Sequence, residues 1–344
     1  MPPFKSPDPP YPYQLASQIA AVDEWFAHRN VPVSTDGRLL LASWNIANLG
    51  AQKRKDKDLK LIAHIMQRFD LIAVQEVNDE YAAFVRAVEL MDGDFDWIIN
   101  DTGGNRERLG FVYRRDKVTP GRLFAEVAFR RLDFPRRDVV VTYKKGGEQR
   151  IEVYYQLEFT PFDRNPFVGT FEAGNLDFTV ANVHLYFGAF KDASSVEERA
   201  KYARRVMEIF ALSDWAKKRR KSDKTYDRDI VLIGDMNVPM MHSDDAAFRA
   251  LKKSGLTPMD YFTKTGGANL AGTKSYDQLA ITPGDLKDRV LDFNVFDFDN
   301  RIFKGKWEEL EQALPPKKAV SKFNRYVKHH VSDHRPIWMQ FDIS

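Results

Sequence analysis

The amino-acid sequence predicts an α/β (α+β) fold in which two mixed β-sheets pack against each other and helices cover their outer faces. Short apolar runs rich in β-branched residues, at 71–77 and 230–233, are typical of strands buried on both faces. Helical patterns alternate with such runs, whereas 118–187 alternates apolar and polar residues as hairpins do. This mixture fits neither a doubly wound sheet nor a plain sandwich.

The composition allows a large core and excludes cysteine chemistry. The chain has 344 residues, of which 43% are hydrophobic and none is cysteine. A domain of this size needs no disulfides, and no thiolate is present to bind a metal or attack a substrate. The formal net charge of +3 is compatible with a polyanionic substrate.

The N-terminal residues 1–35 are predicted to form an extension with one amphipathic helix. Residues 1–13 are rich in proline, and 14–28 carries apolar residues at helical spacing. Residues 36–344 are predicted to form a single domain, because no linker or internal repeat divides them. The N-terminus has no apolar h-region and no stretch has the length of a membrane span, so a cytosolic protein is expected unless a signal peptide has been removed. A monomer is expected as well.

Further elements follow in order along the predicted domain. Strands are predicted at 39–48, 71–77, 97–100, 108–114, 230–233, 276–282 and within 331–343, with hairpin turns at Gly146-Gly147 and Gly174-Asn175. Helices are predicted at 58–69, 81–91, 195–218 and 244–253. Ser195 and Glu198 have the spacing of a capping box at the start of the third helix. Residues 285–328 receive no assignment.

Asp235 and Asn237 follow the buried strand 230–233 and are two residues apart. In an extended chain their side chains lie on the same face. A carboxylate and an amide oxygen in that position can bind a hard cation or a phosphoryl group. An Asx turn that closes the strand is an equally good interpretation of these two residues alone.

Polar side chains of the same kind stand at the ends of other predicted strands. They are Asn45, Glu76, His184, Asp277, the pair Asp333-His334 and, as a further candidate, Arg108. Taken singly, a histidine in a strand is more often a core residue, and a glutamate after a strand more often caps a helix. Their recurrence favours one cleft, because a sheet collects strand ends along one edge.

A cleft with so many carboxylates predicts a bound cation. Buried negative charge is costly unless a cation neutralises it. Oxygen ligands without thiolates favour Mg²⁺ or Mn²⁺, as one or two ions. The predicted chemistry is metal-assisted hydrolysis of a phosphate ester.

Seven motifs, in this order, resemble those of the endonuclease/exonuclease/phosphatase superfamily with the DNase I-like fold. They are SWNIAN, VQEV, RLGFVYR, NVHL, GDMN, YDQL and SDHRP, and they span about residues 39–343. The resemblance implies a four-layer sandwich of two mixed β-sheets flanked by helices, with the site at one edge of the sheets.

The resemblance also implies which residues bind metal and activate water. Glu76 would be the principal metal ligand, helped by Asn45 and Asp333. His334 would be the general base for the attacking water, with Asp277 as its supporting acid. Imidazole suits this work because it titrates near neutrality.

The remaining motif residues would act on the other side of the scissile bond or on the phosphate. His184 would protonate the leaving oxygen or stabilise the developing charge. Asp235 and Asn237 would position the nucleophile or hold a second metal, and Arg108 would contact phosphate.

Three differences separate the chain from the abasic-site endonucleases of this superfamily. Those enzymes usually have a tyrosine where this chain has His184, and an Asp-Tyr order where it has Tyr276-Asp277. The loop 263–275 also lacks their bulky aromatic residues. The NVHL and YDQL motifs are more similar to the branch that holds DNase I, inositol polyphosphate phosphatases and sphingomyelinases.

A nuclease that cleaves DNA, or RNA, with little sequence specificity is the first interpretation within that branch. Basic stretches at 53–60, 130–137, 144–150 and 217–224 would supply phosphate contacts. Lys53 and Arg54 follow the strand of Asn45 directly, and Arg106 precedes Arg108 in a loop suited to a minor groove. Solvated surface is the alternative for each stretch, and it is favoured for 217–224 at a helix end remote from the site.

Two further interpretations stay open. One is a phosphatase or phospholipase acting on inositol phosphate or lipid headgroups, for which Tyr154-Tyr155 and 159–167 are candidate membrane contacts if they do not belong to the core. The other is a binding module without activity. That interpretation predicts the loss of a metal ligand or imidazole, and none is missing.

Overall fold

A computed structural model describes residues 3–7, 11–130, 133, 136–145, 149–187 and 195–344, and of residues 143–145 and 149–150 it describes the backbone alone. The strands, in chain order, are β1 (Arg38–Leu49), β2 (Leu71–Asn78), β3 (Phe95–Ile99), β4 (Glu107–Arg114), β5 (Thr119–Glu126), β6 (Arg137–Lys145), β7 (Gln149–Leu157), β8 (Phe167–Ala173), β9 (Leu176–His184), β10 (Ile230–Asp235), β11 (Thr257–Pro258), β12 (Asp277–Ile281), β13 (Val290–Val295) and β14 (Ile337–Asp342).

The helices cover the outer faces of the sheets. They are α1 (Leu15–His28), α2 (Asp56–Met66), α3 (Ala82–Glu89), α4 (Val196–Lys221), α5 (Ala246–Lys253), α6 (Phe262–Thr265), α7 (Asp285–Asp288), α8 (Lys304–Ala313) and α9 (Pro316–His330). The Ser195 hydroxyl accepts a hydrogen bond from the Glu198 amide at 3.4 Å, which confirms the predicted start of α4.

Two mixed six-stranded sheets form the centre of the fold, as the sequence predicts. The first has the order β13-β14-β1-β2-β4-β3, and the second has the order β11-β12-β10-β9-β8-β5. Strands β6 and β7 pair with each other as a separate hairpin. The hairpin predicted at Gly174-Asn175 joins β8 to β9, while Gly146-Gly147 lies outside the described residues.

The central strands β1, β2, β10 and β12 bury both faces, and this is why their sequences read as nearly continuous apolar runs. In β1, Leu39 and Leu41 face the core between the sheets, whereas Leu40 and Trp44 face the outer helices. Each fully buried leucine contributes about 1.5–3 kcal/mol of transfer free energy. Helices α4 and α5 pack on the outer face of the second sheet. The result is the predicted four-layer sandwich.

The N-terminal helix predicted at 14–28 is present as α1, and Val22 and Phe26 bury its apolar face. Phe26 stacks on Phe296 with a ring separation of 4.1 Å. The unassigned region 285–328 contains α7, β13, α8 and most of α9. Helix α9 begins at a proline, as helices commonly do, and Phe323, Tyr326 and Val327 bury one of its sides.

Both sheets end at the same edge of the molecule. Strands β1 and β2 run parallel to each other, and β14 begins where β1 ends because it runs antiparallel to β1. In the second sheet β9 and β10 are parallel, and β12 begins where β10 ends. The carboxyl ends of four strands and the starts of two others therefore meet at this edge.

Candidate active site at the sheet edge

Three of the predicted catalytic residues form one row across the second sheet. Asp235, the last residue of β10, pairs with His184 on β9 and with Asp277 on β12. Side chains at the same level of adjacent strands lie on one face of a sheet, about 5 Å apart. The register of three strands therefore brings together residues that are far apart in the sequence.

The first sheet contributes Asn45 and Glu76 opposite that row. The β1–β2 register shifts between Asn45 and Leu49, and the β2–β4 register shifts between Val74 and Val77. Bulges of this kind turn side chains at a strand end. Glu76 has a φ angle of +60° and is 5% exposed. This left-handed backbone is uncommon for glutamate, and such conformations cluster at functional sites.

Asn45 links the two sheets within the site. Its side-chain nitrogen donates to Glu76 Oε1 and to Asp235 Oδ2, both at 3.0 Å. The other oxygen of Glu76 accepts from the Asn48 amide at 2.8 Å. Asn45 Oδ1 is buried, and no described residue donates a hydrogen bond to it. A buried amide oxygen beside a buried carboxylate fits a hard divalent cation.

A second group of candidate metal ligands lies next to the first. Asp235, Asp277 and His334 present ligand atoms that lie within 4.8 Å of one another. Asp277 Oδ1 is buried and accepts no hydrogen bond from the described residues. The donor set of this site is thus compatible with one divalent ion or with two.

Of the two interpretations of Asp235 and Asn237, the Asx turn is confirmed, while the binding of a cation or phosphoryl group stays a prediction. The Asn237 amide donates to Asp235 Oδ1 at 2.8 Å, which is the Asx turn. Asn237 has a φ angle of +53°, so the chain is not extended through this position. Its side chain donates to the Leu185 carbonyl at 3.0 Å and ties the turn to β9. Asp235 Oδ2 accepts from Asn45 and lies closest to the two imidazoles of the cleft.

His334 and Asp277 form a hydrogen-bonded pair. Asp277 Oδ2 lies 2.8 Å from His334 Nδ1, and His334 Nε2 lies 3.8 Å from Asp235 Oδ2. The Trp44 indole donates to the His334 carbonyl at 2.8 Å and fixes the backbone. Burial alone would lower the pKa of His334, but the charges of Asp277 and Asp235 outweigh it and raise this pKa well above its ordinary value.

His184 forms a second pair, with an acid that the sequence analysis did not single out. Glu107 Oε2 lies 3.1 Å from His184 Nδ1, and His184 Nε2 lies 3.6 Å from Asp235 Oδ2. Arg164 lies 3.2 Å from the same Glu107 oxygen and donates to the carbonyls of His184 and Leu185 at 2.9 and 2.8 Å. Burial would raise the pKa of Glu107, but His184 and Arg164 outweigh it and lower this pKa.

The two histidines also set the charge of Asp235. Burial would raise the pKa of this carboxyl, yet the nearby imidazoles of His334 and His184 and the hydrogen bonds from Asn237 and Asn45 lower it. Asp235 is therefore the ionised centre that both imidazoles approach.

Asp333, the third predicted metal ligand, has a different partner. Its Oδ2 accepts from Lys328 Nζ at 2.9 Å, and its side chain is 36% exposed. It thus stands at the mouth of the cleft, next to His334 in sequence. Its role as a ligand stays a prediction.

Two of the three arginines predicted to contact substrate, Arg106 and Arg108, lie on a rim beside β4. Arg106 Nε donates to Asp79 at 3.1 Å and its side chain is 80% exposed. Arg108 donates to the Asn100 carbonyl at 2.9 Å and to Asp101 at 3.1 Å. Arg108 pairs across the sheet with Val77, which follows Glu76 in the chain.

Lys53 and Arg54 differ although they are adjacent. Lys53 is exposed, as a phosphate contact requires. Arg54 Nη2 donates to the carbonyls of Ala47 and Val331, both at 2.7 Å, and its other guanidinium nitrogens are buried. Burial lowers the pKa of Arg54 to about 10. We therefore correct the predicted substrate contact of Arg54 to a structural one, which joins the end of β1 to the segment before β14.

The other basic stretches lie elsewhere. Arg219 and Lys224, from 217–224, line a cavity beside Thr179 and Ile230, at the starts of β9 and β10. That is the opposite end from His184 and Asp235, which confirms that this stretch is remote. Parts of 130–137, and the side chains of 144–150, lie outside the described residues. Phe159, Phe162 and Phe167 are buried in the core, whereas Tyr154 is 70% exposed and does not belong to it.

The comparison with known proteins agrees with this geometry. The profile of the Endonuclease/Exonuclease/phosphatase family matches residues 42–334. The chain belongs to this family. It is a hydrolase of phosphoester bonds with the DNase I-like fold, and its family depends on divalent metal ions. The interpretation as a binding module without activity is therefore wrong.

Named relatives include nucleases. A protein named Deoxyribonuclease, from Thioalkalivibrio sp. (strain K90mix), is 25% identical over 91% of this chain and 73% of its own length. Endonuclease/exonuclease/phosphatase family domain-containing protein 1 of Xenopus laevis is 21% identical over 71% of this chain and 42% of its own length. Among solved structures, humanized D. rerio TDP2 carrying 14 mutations is similar to this chain with a TM-score of 0.50 and 11% sequence identity. The alignment covers 89% of this chain and 99% of that one.

The helices of the described residues contain no candidate membrane span.

Proposed function

We propose that this chain is a divalent-metal-dependent phosphodiesterase that hydrolyses nucleic acid, foremost DNA, with little sequence specificity. The observation that carries the proposal is the convergence of two imidazole–carboxylate pairs on one buried carboxylate, beside an unpaired amide oxygen. Two imidazoles of this kind suit a reaction that needs a proton acceptor and a proton donor. The relative named Deoxyribonuclease, which covers 91% of the chain, supports nucleic acid as the substrate.

His334 is proposed as the general base for the attacking water. Its Nδ1 faces Asp277 at 2.8 Å, which leaves Nε2 as the atom that takes the proton. Asp277 stabilises the imidazolium that then forms and holds the ring in the required orientation. Asp235, 3.8 Å from Nε2, favours the same charged form and positions the nucleophile.

His184 is proposed to assist the leaving oxygen. Glu107 fixes its Nδ1 at 3.1 Å, so Nε2 points towards Asp235 and the cleft. Proton donation from Nε2 to the leaving oxygen is the matching half of the reaction. The same histidine, in place of a tyrosine, supports our assignment to the branch that includes DNase I.

Glu76 and Asn45 are proposed to hold the metal ion, Mg²⁺ or Mn²⁺, with Asp333 at the mouth of the cleft. When bound, the cation supplies positive charge against the phosphoryl oxygens in the transition state. Asp235 and Asn237 shape the opposite wall through their turn. The hydrogen bonds from Asn45 and Asn48 orient Glu76 before any ligand arrives.

Arg108, Arg106 and Lys53 are proposed to contact the phosphates that flank the scissile bond. All three carry their charge near the cleft on exposed or partly exposed side chains. Contacts to the phosphate backbone give affinity without reading base sequence.

A substrate panel with Mg²⁺ or Mn²⁺ tests the proposal. It contains supercoiled plasmid, linear duplex, single-stranded DNA, RNA, inositol polyphosphate and sphingomyelin. We expect cleavage of DNA that is abolished by EDTA and by Glu76→Ala, whose matched control is the exposed Glu89→Ala on α3.

Hydrolysis of the headgroup substrates with plasmid and oligonucleotides left intact would show that the chain is a phosphatase or phospholipase instead. Activity that persists in EDTA, or in His334→Ala at the wild-type rate, would contradict the proposed mechanism for any substrate.

A further inference from the structure

A cavity opens directly beside His334 and is not explained by the catalytic residues. It has a volume of about 370 Å³, and His334, Asp333 and Tyr276 form one wall. Asn324, Arg325 and Lys328 of α9 form the other. Its volume is in the range of pockets that hold one small-molecule unit.

The sequence of α9 places its polar side at this cavity. Phe323, Tyr326 and Val327 are buried against the first sheet and its helices. Arg325 and Lys328 are three residues apart and therefore share the opposite side of the helix. The orientation of the polar side is thus set by the apolar one.

The two cations on that side are not equivalent. Lys328 donates to Asp333 at 2.9 Å and lies 3.8 Å above the Phe4 ring, so its charge is already engaged. Arg325 is exposed, and within the described part of the chain no carboxylate pairs with it. A guanidinium without a partner is suited to bidentate hydrogen bonding of a phosphate.

Tyr276 supplies an aromatic surface between this cation and the catalytic histidine. Its ring is partly buried, and its centroid lies 6.0 Å from that of His334. Aromatic rings in this position bind nucleobases by stacking, with little dependence on base identity.

We propose that this cavity binds the nucleotide adjacent to the scissile phosphodiester, with Arg325 on its phosphate and Tyr276 against its base or sugar. The inference rests on the proposed function, because it assumes a polynucleotide substrate. It requires a substrate with at least one phosphate besides the scissile one, since the bound nucleotide carries a phosphate of its own. Arg325 is then a specificity-determining residue.

Steady-state cleavage of a single-stranded oligonucleotide tests the inference in full-length protein. We expect Arg325→Ala to raise KM about tenfold while kcat changes less than threefold, and Arg325→Lys to give an intermediate KM. The slope of log KM against log salt should fall by about 0.7, the value of one phosphate contact on a single strand. Lys322→Ala is the matched control, because Lys322 is an exposed cation of α9 outside the cavity.

A methylphosphonate scan identifies the phosphate that is contacted. One neutral linkage, moved along the oligonucleotide, should raise KM of the wild-type enzyme at a position next to the cleaved bond. The neutral linkage at that position should not raise KM any further in the Arg325→Ala variant, which has already lost the contact. Equal KM values for Arg325→Ala and Lys322→Ala, or additive effects at every position, would overturn the inference. Failure of the wild-type enzyme to cleave any nucleic acid, plasmid and duplex included, would overturn the proposed function instead, whereas cleavage of plasmid with every single-stranded oligonucleotide left intact would overturn only the inference.

Discussion

The two imidazole–carboxylate pairs of the cleft reach the same oxygen of Asp235 from differently built surroundings. The His184–Glu107 pair is enclosed, with both side chains at most 2% exposed, and the guanidinium of Arg164 balances its charge. Among the described residues no such cation pairs with Asp277, and His334 is 13% exposed at the wall of a cavity. The His184–Glu107 pair therefore has a protein cation as its counter-charge, whereas the counter-charge of the His334–Asp277 pair would have to come from a bound ligand.

Because the two pairs differ in this way, we expect them to contribute differently to the stability of the fold and to the reaction. A buried charge that loses its partner is strongly destabilising. Asp277 is itself fully buried, but His334 borders the cavity, so the charge of the imidazole can be balanced by solvent or ligand and its loss of a partner should affect folding less. We therefore expect the first pair to contribute to both the stability of the fold and the reaction, and the second pair mainly to the reaction.

The largest effect is expected where the two pairs meet. Asp235→Asn removes the charge that both imidazoles approach, at 3.6 and 3.8 Å. We expect kcat/KM to fall by about 10³-fold or more, the range of general acid–base contributions. Asp229→Asn, just before the start of the same strand, is the control and should stay within threefold. A loss of less than tenfold in Asp235→Asn would show that the two pairs work independently of this carboxylate.

Comparing Glu107→Gln with Asp277→Asn tests the division between stability and catalysis. Glu107→Gln leaves the charge of Arg164 buried and unpaired, so the free energy of unfolding should fall by about 3–5 kcal/mol. Asp277→Asn should cost less than about half of that, while kcat falls by about 10²-fold in each variant. Urea denaturation and steady-state kinetics measure the two quantities separately. Equal losses of stability would contradict the comparison.

The sequence predicted the strand ends well, because their signals are local. β-branched apolar runs that stop at Asn45, Glu76, His184 and Asp235 indicate both the strand and the edge where it ends. The register that sets these residues side by side follows from the packing of the apolar faces. The sequence therefore predicts which residues stand at the strand ends, but not the distances between their side chains.

Glu107 was missed although a signal existed. Glu107 falls just before the predicted strand 108–114, yet it begins β4, where Leu109 and Phe111 face the core between the sheets. With a period of two, Glu107 is the next inward position, and an inward acid requires a partner. Its cation, Arg164, lies in a loop with no local pattern.

The burial of Arg54 and the position of α9 show two different limits of prediction from the sequence. Arg54 donates to carbonyls at Ala47 and Val331, and a partner 277 residues away leaves no trace in a charge pattern. Helix α9 could have been predicted, because Pro316 starts it and Phe323, Tyr326 and Val327 follow at helical spacing. Its position beside His334 could not, since it depends on tertiary packing.

A pH titration of stability probes the support of the enclosed pair. Glu208 of α4 accepts a hydrogen bond at 2.8 Å from the Tyr186 amide, two residues after His184. Burial raises the pKa of Glu208 to about 7, from an ordinary value of 4.5. The folded state therefore holds a proton that the unfolded state releases between these two values, and stability is lost as pH rises from 4.5 to 7.

Glu208→Gln should remove this dependence and keep the hydrogen bond from Tyr186. The free energy of unfolding of the wild-type protein, taken relative to Glu208→Gln, should fall by roughly 3 kcal/mol between pH 4.5 and 7.5 and stay constant above that. Urea denaturation at four pH values measures it. If the difference in free energy of unfolding between the two proteins does not change with pH, Glu208 is ionised in the folded state at little cost. The surroundings of Glu208, beside the His184–Glu107 pair, would then be more polar than its burial indicates.

The smallest effect is expected at the rim, where ion pairs are exposed. Arg106 pairs with Asp79, but its side chain is 80% exposed, in contrast to the enclosed Arg164. An exposed pair contributes about 0–1 kcal/mol, so Arg106→Ala should leave the free energy of unfolding nearly unchanged. We expect KM for a polynucleotide to rise two- to fivefold at low salt and by less at high salt, because screening already weakens the contact. A loss of stability as large as that of Glu107→Gln would show that exposure does not separate the two kinds of pair, and the contrast between enclosed and open charges would then lose its physical basis.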